Sequence, residues 1–142
     1  MKRKITKVLL ITFLLSNLIF GSFAFAYSTE ESDPNDSLAQ ADQIGINRWM
    51  EGKISAREDV DCYKFSGNGQ KLTIGVHNTP PGTTYGLVIM DKNQNIIARS
   101  DNNSMSQWIY LDSDWYTDYY AVVYSTDGIV SPYYTYTISV GN

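Results

Sequence analysis

The residues best equipped for chemistry stand in two acidic runs. The first is Glu30-Glu31-Ser32-Asp33-Pro34-Asn35-Asp36-Ser37, an extended segment stiffened by Pro34, and the second is Glu58-Asp59-Val60-Asp61. Hard cations such as Ca2+ take six to eight oxygen ligands and favour carboxylates and Asn carbonyls. Neither run completes such a shell alone; together they suffice. The residues leave a second reading open, in which all are solvated loop acids and Asn35 and Asp36 cap a turn.

Cys62 and His77 are the one Cys and the one His of the chain. A thiol nucleophile and its base must lie within hydrogen-bond reach. A turn at residues 66–70 predicts a hairpin centred near Asn68, with Cys62 across from Ile74 and His77 across from Asp59. That leaves about 10 Å between the two along the ladder. A thiol hydrolase built on Cys62 is therefore a remote alternative. Val60, Cys62 and Lys64 share a strand face, which reads as ordinary half-buried sheet, and His77 reads as a solvated strand end. Gly-x-Ser-x-Gly, His-Glu-x-x-His and phosphate-loop patterns are absent. No carboxylate pair shows a neighbour suited to glycosidase work. The expectation is a protein that is not an enzyme.

The frame that must position these groups is small. Lys2, Arg3, Lys4 and Lys7 precede an uncharged apolar run over residues 8–20, and the segment ends in Ala24-Phe25-Ala26. This is the pattern of a secretory leader spanning 1–26, cleaved before Tyr27. The remainder, 27–142, holds seven of the 11 basic residues and all 15 acidic ones, a net charge of −8. Such a balance argues against nucleic acid and anionic membrane as partners. A single Cys makes no internal disulfide, so packing or a metal must supply stability. No later stretch is long and apolar enough to span a bilayer.

Helical periodicity is weak except at 37–44, where Leu38, Ala41 and Ile44 predict a short helical turn behind an Asn-Asp-Ser cap. Elsewhere short alternating runs recur between turn signals, at 48–55, 60–65, 71–77, 85–90, 96–99, 105–111, 119–124 and 133–140. Seven or eight such strands predict an all-β chain, an antiparallel jelly-roll β-sandwich in one domain.

Glu31-Ser-Asp33-Pro34-Asn35-Asp36-Ser37, then Ala41, Gly52-Lys-Ile54 and Asp59-Val-Asp61-Cys-Tyr63-Lys-Phe65, resembles the bacterial pre-peptidase C-terminal domain. The collagen-binding domains of bacterial collagenases belong to that group. The segments at 87–98, 119–123 and 134–138 resemble its central hairpin and last two strands. The resemblance implies a jelly-roll sandwich without catalysis of its own. It also implies calcium held by Glu31, Asp33, Asn35 and Asp36 from the segment and by Asp59 and Asp61 from the loop. Two departures stand out: Asp33 replaces the usual Glu, and Arg57 replaces a small polar residue. The turn at 113–118 also lacks the family's Pro-Gly.

Alternation puts Tyr119, Ala121 and Val123 on one face of their strand and Tyr120, Val122 and Tyr124 on the other. In the last strand it gives Tyr134, Tyr136, Ile138 and Val140 an apolar face. The family pattern makes Tyr119, Ala121 and Val123 core, leaving Tyr120, Val122, Tyr124 and Tyr133 as an outward row. Tyrosines on a rigid sheet suit an extended polymer, and the resemblance implies collagen gripped there. The expectation is a secreted monomeric module binding collagen or another extracellular protein. The alternative is a stand-alone accessory or inhibitor-like protein contacting a secreted protease.

Overall fold

The structure, a computed structural model, describes residues 29–142; the leader expected over 1–26 and its cleavage point lie outside them. Nine strands form among the described residues. They are β1 (Asp42–Gln43), β2 (Arg48–Gly52), β3 (Val60–Ser66), β4 (Lys71–His77), β5 (Tyr85–Asp91), β6 (Ile96–Ser100), β7 (Gln107–Asp112), β8 (Asp118–Ser125) and β9 (Tyr136–Gly141). They build two sheets, β1-β3-β8-β5-β6 and β2-β9-β4-β7. Every pairing between strands is antiparallel except that of β1 with β3.

The period-2 pattern works because each sheet has one buried face. Tyr63 and Phe65 of β3, Leu87 and Ile89 of β5, and Ala121 and Val123 of β8 point inward. They meet Leu72, Ile74 and Val76 of β4 and Tyr136, Ile138 and Val140 of β9. Each fully buried Leu, Ile or Val contributes about 1.5–3 kcal/mol. A one-residue slip would send a whole set to solvent, so burial fixes the register.

Three local expectations give way. The helical turn at 37–44 is instead a tight turn, with the Gln40 amide on the Ser37 carbonyl at 3.0 Å, followed by β1. A helix of two turns is marginal in water, whereas the open edge of β3 offers pairing and buries Ile44 completely. β2 stops at Gly52, and β9 begins at its register partner Tyr136, not at 133. Tyr134 is consequently 65% exposed rather than on the apolar face. Finally, β3 and β4 do not form a hairpin, because the chain crosses from one sheet to the other between them.

The turn at 113–118 finds another way to do without glycine. Tyr116 takes the left-handed conformation, φ 56°, and its amide donates to the Gly67 carbonyl at 3.1 Å. The Asp114 amide donates to the Tyr119 hydroxyl at 3.0 Å.

Candidate functional site

The N-terminal segment straps the two sheets together. The Glu31 amide donates to the Glu51 carbonyl of β2, and the Glu51 amide to Thr29, so the strap pairs parallel with that edge. Four residues on, the Asn35 carbonyl accepts from the Cys62 amide of β3. Asn35 is buried, its carboxamide donating to Glu31 and Asp42 at 3.3 Å each. Asp42 also accepts from the amide and hydroxyl of Ser32. Glu31 accepts from the Lys53 amide at 2.6 Å and from the Tyr63 hydroxyl at 2.5 Å. Tyr63 in turn meets the Tyr136 hydroxyl at 2.7 Å, and Tyr136 donates to Asp61 at 2.5 Å.

Four oxygens thus form a chain, Glu31–Tyr63–Tyr136–Asp61, with three contacts and only two phenolic protons. The middle contact needs a third proton, which a carboxyl must carry. The electrostatics agree. Burial, and then the Glu31 charge, push Asp61 up to about 9. Burial also raises Glu31, against hydrogen bonds from Tyr63, Lys53 and Asn35. Both phenols are well above their usual range, chiefly through burial. Gly52 makes the phenol pair possible: a Cβ there would stand 2.2 Å from the Tyr63 hydroxyl and 2.4 Å from that of Tyr136.

The six acids and amides singled out by sequence fall into separate groups. Glu31, Asn35 and Asp61 share the buried network. Asp36, exposed, and Asp59, half-buried, form a second pair, in which Asp36 is raised by desolvation and then by the Asp59 charge. Asp59 accepts from the amide and hydroxyl of Ser55 and also bears on Asp61. Asp33 is exposed and lines a cavity of about 170 Å³ with Glu30, Glu31, Glu51 and Lys53. Arg57, expected in the same loop, lies against Gly128. Among the described residues no three His, Cys, Asp or Glu side chains gather as a ready-made metal holder.

Glu31, Asn35 and Asp61 are oxygen donors of the type a hard cation takes, the first half-buried and the other two buried. None of the described ion pairs, Lys64–Asp118, Lys71–Asp112 and Arg99–Asp101, touches the six. Sequence reasoning missed Asp42 and the phenol bridge. Tyr136 carried only the signal of an apolar strand position.

Tyr120, Val122 and Tyr124 do point outward from β8, each half-buried. The Lys64 ammonium lies 5.9 Å from the Tyr120 ring. Arg99 lies 5.8 Å from the Tyr124 ring and donates to its hydroxyl at 2.9 Å. Tyr133 is 88% exposed, but in the loop before β9, so it does not continue the row on a strand.

Cys62 pairs with Val122, not Ile74, and is buried, its thiol pushed up to about 11 by burial and then Asp61. His77 pairs with Thr137 on the other sheet and stacks on Trp108 rather than standing free. The two therefore sit on different sheets and form no dyad.

No family model and no curated protein matches the sequence. Among solved structures, the pre-peptidase C-terminal domain of a Bacillus anthracis collagenase is similar with TM-score 0.58 and 25% identity, covering 70% of this chain and 93% of that one. PliG, a periplasmic inhibitor of g-type lysozyme from Aeromonas hydrophila, aligns at TM-score 0.46 and 12% identity over 70% and 95%.

Proposed function

We propose that this pre-peptidase C-terminal-like domain is a non-catalytic binding module, secreted after loss of residues 1–26. It holds an extracellular protein polymer such as collagen on the outward face of the five-stranded sheet. The observation that carries this reading is the row Tyr120, Val122 and Tyr124 on β8, a strand paired on both sides, with Gly86 of β5 beneath the Tyr124 ring. Rings fixed in this way lose little entropy on binding. The likeness to a collagenase domain supports the same class.

Calcium belongs to the proposal as a stabiliser. Glu31, Asp33, Asn35 and Asp36 of the strap and Asp59 and Asp61 of the loop are the residues to hold it. A bound cation would supply the positive charge this cluster lacks. The strap's own role is to bring Glu31 and Asn35 over the end of β3.

The test is retention on immobilised collagen. The wild type should be retained, and Tyr120→Ala and Tyr124→Ala should each weaken binding by more than about 1 kcal/mol. Their melting temperatures should change little. Capture of a secreted protease without retention on collagen would replace this reading with the accessory one.

A further inference from the structure

The outward face of the four-stranded sheet lies outside the reading above. Register places Trp49 of β2 opposite Ser139 of β9, Ser139 opposite Gly75 of β4, and Gly75 opposite Trp108 of β7. One row across the sheet therefore has an indole at each end and only small groups between. Three inter-strand steps set the two tryptophan Cα atoms about 14 Å apart, and the Trp108 ring reaches back over Gly75. Trp49 is 48% exposed and Trp108 47%.

Trp108 lies down on the sheet. A Cβ on Gly75 would come within 2.1 Å of its six-membered ring, and His77 stacks on it at 5.5 Å and 8°. The neighbouring row adds Tyr110, 70% exposed, opposite Thr73. Contiguous exposed aromatic surface of this kind marks a contact site.

Its charge says what kind. Residues 27–142 carry a net −8, yet the Trp-to-Trp row contains no charged side chain. Glu51 stands two residues along β2, and the Lys71–Asp112 pair at the far end of β4 and β7. An uncharged strip of rings and hydroxyls on an acidic domain disfavours polyanions and gives a polycation nothing to pair with. It matches a neutral polyhydroxylated chain, whose pyranose C–H faces lie on indoles while its hydroxyls reach Ser139 and Thr73. A row crossing four strands suits the extended ribbon that β-linkages give.

The geometry points to a binding site for a neutral β-linked glycan, laid across the strands with sugars stacked on Trp49 and Trp108. The test titrates β-1,4-linked hexasaccharides of glucose, of N-acetylglucosamine and of mannuronate into the purified protein, followed by tryptophan fluorescence and calorimetry. At least one neutral hexasaccharide should bind saturably, with mannuronate at least tenfold weaker. Trp49→Ala and Trp108→Ala should each weaken that binding tenfold or more. Ser139→Glu, which keeps both rings, should abolish it, so the test survives a misfolded tryptophan variant. Tyr124→Ala should leave glycan binding unchanged, which separates this site from the β8 row. Absence of saturation by both neutral probes at millimolar concentration would overturn the proposal. So would equal binding of mannuronate, or a wild-type dimer that Ser139→Glu converts to monomer, which would assign the face to a second copy.

Discussion

Asp61→Asn should stabilise the metal-free protein at neutral pH, against the usual expectation for a buried, hydrogen-bonded acid. Asp61 is 2% exposed and holds its proton up to about pH 9, against 3.8 when solvated. Between those values the folded state binds more protons than the unfolded one, so its stability falls as pH rises. Carrying the proton from 3.8 to pH 7, at about 1.36 kcal/mol per pH unit, sets a ceiling of about 4 kcal/mol. Asparagine removes this term. Its amide can donate to the Tyr136 hydroxyl, which then donates to Tyr63 and so supplies the middle contact with the proton that the count requires. Glu31 stays buried, so about 2–3 kcal/mol should be recovered at pH 7, a rise in Tm of about 10 °C for a domain of this size. At pH 4 wild type and variant should coincide. Circular-dichroism melts in EGTA at pH 4, 7 and 8.5 measure this. A variant less stable than wild type at pH 7 by 2 kcal/mol or more, with the wild-type pH slope intact, would refute the shared-proton network.

Other outcomes follow from the same geometry. Free calcium at one hundred times its Kd should stabilise the wild type by about 2.7 kcal/mol, with magnesium doing less because it demands tight octahedral geometry; paired melts with EGTA, calcium and magnesium decide, and Asp61→Asn should blunt the response. Gly52→Ala should cost about 3 kcal/mol in urea unfolding, because the new methyl must displace the paired phenols of Tyr63 and Tyr136. Folded protein should resist iodoacetamide at pH 8, since Cys62 is 3% exposed and its thiol titrates near 11; rapid labelling would mean that β3 opens.

Alternation made most strands legible because each sheet buries one face. It located β4 at residues 71–77 to the residue and put Tyr119, Ala121 and Val123 on one face, which the family pattern made the core. Connectivity was not legible: the turn at 66–70 looks like a hairpin locally, and only sandwich packing sends β3 and β4 to different sheets. The acidic runs announced a site, but Asn35, Glu31 and Asp61 meet through Tyr63 and Tyr136, whose hydroxyls carry no signature in an apolar pattern. Trp108 and Tyr110 had no face signal either. The sequence Trp108-Ile109-Tyr110-Leu111 is apolar throughout, and only the structure shows it alternating exposed and buried.

The two outward faces differ in what they ask of a partner. On the five-stranded sheet the rings are already engaged, Tyr120 with Lys64 and Tyr124 with Arg99. A ligand there must either displace a cation from its ring or use it. Acidic side chains on a protein polymer can use it, because both cations keep donors free to turn outward. Lys64 is also paired with Asp118 at 2.7 Å and Arg99 with Asp101 at 2.7 Å, so salt should loosen both pairs and weaken binding at that face. On the four-stranded sheet Trp108 rests on Gly75 and His77, and the row it shares with Trp49 holds no ion pair to break. Binding there should be nearly independent of salt. A titration of each ligand between 50 and 500 mM NaCl separates the two faces, and equal salt slopes would remove the physical distinction drawn between them.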